Sequence, residues 1–134
     1  MSERCPCGSG EIFKKCCKRL IMGKASAASP VELMRSRYSA YATGAVDYLV
    51  KTTVPARRAA LDTKELKAWC DQTEWTGLKI IKSGLGPKGI DNGYVEFVAH
   101  YNHGGETLRH HEYSTFRKID YRWYYDEGRM IDEV

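Results

Sequence analysis

Four of the chain's five cysteines fall between positions 5 and 17, as Cys5-Pro6-Cys7-Gly8-Ser9-Gly10 followed by Cys16-Cys17. Thiols this close in sequence are either cross-linked, gathered on a metal, or left reactive. Two disulfides in so short a loop would be strained, and the cytosol keeps thiols reduced. One metal ion accounts for the spacing better, because a tetrahedral ion such as zinc takes four soft ligands from two close pairs joined by a loop. Gly8 and Gly10 can adopt the positive φ angles that turn backbone N–H groups toward sulfur, and Pro6 stiffens the first pair. Redox catalysis fits less well, since no Cys-x-x-Cys is present. Only Ile12, Phe13, Leu20, Ile21 and Met22 are available to bury here, so a bound ion would supply most of the head's folding free energy.

The charge distribution marks the same segment. Residues 1–24 carry six basic side chains (Arg4, Lys14, Lys15, Lys18, Arg19 and Lys24) against Glu3 and Glu11, which is the whole formal net charge of +4. The other 110 residues are neutral, with 15 basic and 15 acidic side chains. A basic head points to acidic partners, although four thiolates on a divalent ion would lower its charge to about +2. Nucleic-acid binding through Lys14-Lys15-x-x-Lys18-Arg19 is the weakest reading, with only Phe13 nearby to stack on a base.

At these residues the chain resembles the SEC-C motif, first noted at the C-terminus of the bacterial preprotein translocase ATPase. The Cys-x-Cys-Gly-Ser-Gly run, the eight residues between Cys7 and Cys16, and the closing Cys-Cys all match. The resemblance implies a zinc cofactor held by Cys5, Cys7, Cys16 and Cys17, and a protein partner docked on the head. A zinc clip that merely folds the N-terminus is an equal alternative.

The polar stretch Lys24 to Ser29 reads as a joint, which divides the chain into a motif at 1–23, a linker at 24–29 and an α+β domain at 30–134. Ser29 is placed to cap a helix, with Pro30 first inside it and Glu32 completing a capping box. Met34, Tyr38, Tyr41, Ala45 and Tyr48 form one apolar stripe, with a break at Gly44 and a short second helix through Leu49. A further helix starts at Asp62 with Leu66, Trp69 and Cys70 on its face, and Cys70 reads as a small buried apolar residue. Strands follow at Leu78–Ser83, Tyr94–Tyr101, Glu106–Lys118 and Tyr121–Asp126, joined by turns at 102–105 and at Ile119-Asp120.

If Tyr101 faces Glu106 and Lys118 faces Tyr121, then Val95, Phe97, Ala99, Tyr101, Leu108, Phe116, Trp123 and Tyr125 share one side of the sheet. His110, Glu112 and Ser114 share it too. Polar groups facing a core need partners, and Arg35 and Arg37 flank the Tyr38 stripe within reach of Glu112. A structural ion pair is the simplest reading. The alternative is an enzyme or small-molecule site with Glu112 and His110 as catalytic groups and Arg35, Tyr38, Glu112 and Ser114 binding the ligand. His100, His103 and His111 read as solvated.

Over nearly its whole length the chain is similar to the YchJ family of bacterial proteins. The matching stretches include Glu32-Leu33-Met34-Arg35-Ser36-Arg37-Tyr38-Ser39-Ala40-Tyr41, Val95-Glu96-Phe97-Val98-Ala99, His111-Glu112 and Arg122-Trp123-Tyr124-Tyr125. The resemblance implies a cone-shaped domain like that of nuclear transport factor 2, with helices packed on a curved antiparallel meander. No uncharged run is longer than the nine residues of Tyr38–Val46, far short of the ~20 residues that span a bilayer. With no signal-like N-terminus, a cytoplasmic location without a membrane span is expected.

Overall fold

The main helix begins where its cap places it. Ser29 accepts a hydrogen bond from the Glu32 amide at 3.2 Å, Pro30 opens the helix, and the Glu32 carboxylate reaches back to the Ala28 amide at 2.9 Å. One free N–H of the first turn and one just ahead of the cap are thereby satisfied. The helix α2, Pro30–Thr43, ends at Gly44 in the left-handed region at φ 78°. Ahead of it lies α1 (Cys17–Ile21), and behind it come α3 (Val46–Lys51), α4 (Pro55–Arg58) and α5 (Thr63–Gln72), the last capped by Asp62. These details come from a computed structural model that describes residues 3–87 and 89–131. The outermost ends of the sequence-based boundaries, 1–2 and 132–134, lie outside the described residues.

Four strands form one antiparallel meander in the order β1 (Thr73–Leu85), β2 (Asn92–His103), β3 (Glu106–Ile119) and β4 (Arg122–Met130). Irregularities in register interrupt β1 twice and the β3–β4 pair once. Such bulges curl a sheet, and here the concave face receives α2. The architecture is the α+β cone, with helices on one side of a curved meander.

Both hairpins depart from the expected register by two residues. Tyr101 pairs with Leu108 rather than Glu106, because Gly104 and Gly105 alone, both at positive φ, make the first turn. Lys118 pairs with Trp123 rather than Tyr121, because the second turn is Asp120-Tyr121 at φ 49° and 68°. Both turns have the twist favoured in two-residue hairpins. A shift of two leaves every side chain on its original face, so Val95, Phe97, Ala99, Ser114, Phe116 and Trp123 are buried as the alternation required. All four strands are longer than expected: β1 follows α5 directly from Thr73, β2 gains two residues at each end, β3 runs on to Ile119, and β4 continues through Gly128 to Met130.

Helix α2 is buried beyond its apolar stripe. Leu33, Ser36, Arg37, Ser39 and Ala40 are buried along with Met34 and Tyr38, because the helix touches the sheet on one side and α1 and α3 on the other. Ser36 is matched by the Tyr48 hydroxyl at 2.7 Å. The cysteines join this packing, for Cys5, Cys7, Cys17 and Leu20 belong to the same hydrophobic cluster as Leu33, Tyr38 and Phe97.

Candidate metal centre and cone cavity

A small antiparallel bridge between Arg4 and Ile12 brings the two halves of the head together, closed by a bond from the Cys5 amide to the Glu11 carbonyl at 2.8 Å. Gly8 and Gly10, at φ 80° and 85°, make the turn between them. One turn of 3-10 helix, Phe13–Lys15, then delivers Cys16 and Cys17 to the first pair.

The four sulfur atoms lie within 4.8 Å of one another, with Cys7 Sγ to Cys16 Sγ at 3.7 Å and Cys16 Sγ to Cys17 Sγ at 3.9 Å. A tetrahedral metal with metal–sulfur arms of about 2.3 Å has sulfur–sulfur edges of about 3.8 Å. The donor set therefore fits one tetrahedral ion that favours thiolates. Four thiols this close cannot all ionise unaided. A bond from Cys17 pushes the Cys7 thiol down to about 4, and giving that bond pushes Cys17 up, as burial does Cys16. A dication removes the conflict.

Supporting contacts surround the sulfurs. The hydroxyls of Ser9 and Ser39 lie 3.2 Å from Cys16 Sγ and 3.4 Å from Cys5 Sγ. The Ser9 amide also bonds to the Cys7 sulfur, as the glycine-flanked turn predicts. Arg35, expected beside Glu112, donates instead to the Cys7 carbonyl at 2.9 Å and ties the head to α2.

The second candidate site is a cavity of about 240 Å³ between α2, α5 and the concave sheet. Its walls are aromatic: Tyr38, Tyr41, Trp69, Trp75, Tyr101 and Tyr125. Trp69 meets Trp75 and Tyr101 edge-on, with ring centres 6.4 and 5.8 Å away, an arrangement that aromatic quadrupoles favour. At the polar end stand Arg37, His110 and Glu112. Arg37 occupies the place assigned to Arg35. It lies three residues after Met34 and four before Tyr41, so the helical stripe itself carried this signal. Its guanidinium stacks 4.5 Å from the centre of the Tyr125 ring and donates to the Leu49 carbonyl at 2.9 Å and to Thr52 Oγ1 at 2.7 Å.

Glu112 is held by two donors, His110 Nε2 at 2.7 Å and the Ser114 hydroxyl. Burial pushes its carboxyl up, but the bonds from His110 and Ser114, with the charges of His110 and Arg37, outweigh this and hold it below its ordinary value. Ser114 is fully buried and absent from the cavity wall. Gly128 crosses directly above, where an added Cβ would fall on the Glu112 carboxylate and the Tyr125 hydroxyl. This close approach accounts for a glycine in mid-strand.

Because the carboxyl is depressed on folding, its contribution to stability is full above the unfolded-state value and is lost as pH falls through the folded one. Glu112→Gln is therefore expected to lose less stability than the parent between neutral pH and pH 3, as read by urea midpoints. Parallel curves would show that Glu112 is not stabilised as an anion.

Two histidines expected in solvent have partners. His111 Nε2 lies 2.8 Å from Glu96 on the convex face, with Lys82 on the other carboxylate oxygen at 3.7 Å. His103 stacks on Trp69 at 4.6 Å and bonds to the Thr73 hydroxyl at 3.0 Å. His110 and His111 point to opposite faces. Among the described residues, the cysteine cluster is the only group placed to hold a metal.

Residues 29–128 match the family described as YchJ, middle NTF2-like domain. The chain belongs to the YchJ family. Residues 1–19 match the SEC-C motif. A UPF0225 protein of Geobacter sulfurreducens is 41% identical over 131 residues, covering 98% of this chain and 81% of that one. The solution structure of a SEC-C motif containing protein from Rhodopseudomonas palustris is similar with a TM-score of 0.87 and 43% identity, over 96% of this chain and 98% of that one. A crystal structure of a SEC-C motif containing protein from Psychrobacter arcticus gives 0.84 and 30%, over 97% and 84%. The YchJ chain thus has a motif–cone organisation found in solved relatives. No helix in its described residues is long and apolar enough to cross a membrane.

Proposed function

We propose that this YchJ protein is a zinc-held interaction protein. The head binds one zinc ion through Cys5, Cys7, Cys16 and Cys17 and docks an acidic protein partner. The observation that carries this reading is the division of labour within one short segment. Cys7 and Cys17 are 0% and 2% exposed, whereas Lys14, Lys15 and Lys18 on the same turns are exposed. The metal side faces the body, and the cationic side is left for a partner.

Affinity capture with the parent chain and with Lys14→Glu/Lys15→Glu/Lys18→Glu tests the docking, alongside metal analysis of both. One zinc per chain in each, with a discrete acidic protein retained at low salt only by the parent, is the expected result. Identical captured proteins would overturn it.

The open aromatic cavity favours a second role, in which the cone binds a small planar ligand against Tyr38, with His110 and Glu112 at the polar end and Ser114 beneath them. Catalysis by Glu112 is disfavoured, because His110 and Ser114 each already bond to one of its carboxylate oxygens and hold it ionised. Fluorescence of Trp69 and Trp75 during titration with a bicyclic aromatic such as naphthol reads occupancy. No change at millimolar ligand would refute this role.

A further inference from the structure

A second cleft, of about 410 Å³, lies between the 23–27 segment, the end of α3, α4 and the start of β4. Four cations line it, Lys24, Lys51, Arg58 and Arg122, and no aspartate or glutamate does. None of the four is in an ion pair among the described residues, whereas neighbouring arginines are: Arg19 with Glu32, Arg57 with Asp126 and Glu127, and Arg117 with Asp126. Three of the four come from the part of the chain that is neutral overall. Their gathering is therefore not a by-product of excess charge.

We propose that this cleft binds a phosphorylated small molecule carrying at least two negative charges. Arg58 is set in place for it. Its Nε donates to the Thr53 carbonyl at 2.9 Å and its Nη2 to the Lys51 carbonyl at 2.8 Å, while the guanidinium lies 5.7 Å from the Tyr124 ring centre. Among the described residues its Nη1 makes no hydrogen bond and stays available. A guanidinium immobilised in advance loses little entropy on gripping a phosphoryl oxygen. Lys51 Nζ reaches across toward Gly23, 3.9 Å from where a Cβ would stand. The amides of Ala25, Ser26 and Ala27 make no backbone hydrogen bond among the described residues, which adds neutral donors of the kind that oxyanions use.

The walls also include Leu20, Leu33, Tyr48 and Trp123, so the cleft offers apolar surface and more room than a lone phosphate needs. A nucleic-acid strand fits less well. Trp123 is only 6% exposed and has Lys118 over its ring, and Tyr124 is faced by Arg58, which leaves no bare aromatic platform for successive bases. The cleft borders the head through Leu20 and Gly23 but includes none of its cysteines, and it shares no residue with the aromatic cavity.

Calorimetric titration of the full zinc-loaded chain with pyrophosphate, in a phosphate-free buffer, tests the proposal. Saturable binding is expected, weakened at least about tenfold by Lys51→Glu/Arg122→Glu and less than about twofold by the charge-matched control Lys64→Glu/Lys79→Glu. Both pairs are exposed, and amide shifts of the unmodified chain give a second readout, centred on residues 24–27, Thr52 and Tyr124. Adenosine monophosphate, phosphatidic-acid vesicles and a short RNA separate the sources of phosphate. Absence of pyrophosphate binding at 1 mM, equal weakening by both double variants, or binding of only vesicles or RNA would each overturn the assignment.

Discussion

Replacing Cys16 and Cys17 with serine is expected to take the metal content from one ion per chain to none and to lower the melting temperature by at least about 10 °C. The size follows from where the sulfurs sit. Cys17 and Leu20 share α1 and are both 2% exposed, packed in the cluster that contains Leu33 and Tyr38. Structural zinc contributes ~10 kcal/mol or more to small zinc modules. Loss of only ~3 kcal/mol of coupling to the body corresponds to roughly 10 °C in a chain of this size. Four close thiols without a cation also leave burial and like charge unresolved. Elemental analysis and circular-dichroism melts, repeated on the parent chain with a chelator, give the answer. A metal-free variant melting with the parent would show that the head folds on packing alone, and the zinc reading would fall with it.

Arg37→Ala is the other substitution with a large expected effect, a loss of about 3 kcal/mol in urea unfolding. Arg37 is 6% exposed, and its bonds to Leu49 and Thr52 tie α2 to the end of α3. Its ring contact with Tyr125 ties both to β4, where the Val54 amide also bonds to the Tyr125 carbonyl at 2.9 Å. Removing the guanidinium leaves a void and takes from Glu112 one of the positive charges that keep it ionised. Arg37→Lys should rescue little, since a point charge cannot reproduce the planar stack and the fork. Near-parental stability in Arg37→Ala would mean that water replaces the arginine at low cost.

Much of the fold was legible because it is locally encoded. The Ser29 cap, the Gly44 stop and the Asp62 start each depend on residues within one helical turn. The sheet faces survived a register error in both hairpins because the error was even: Phe97, Phe116 and Trp123 stayed on the concave side. The turns themselves were misread, since Asp120 and Tyr121 hold positive φ only because the strands on either side require it. The cysteine cluster was legible for the same local reason, all four sulfurs lying within thirteen residues of chain.

The spacing of the cysteines, the periodicity of α2 and the alternation along β2 to β4 were determined by the order of residues, because each expresses a repeat shorter than ten positions. Which arginine enters the cavity, that Arg35 fastens the cysteine-rich head to α2, that His111 finds Glu96, and that Lys24, Lys51, Arg58 and Arg122 surround one cleft were decided only in three dimensions. Those pairings join positions 15 to about 100 residues apart. Their partners are chosen by how the curved sheet and α2 pack, which no short window of sequence contains.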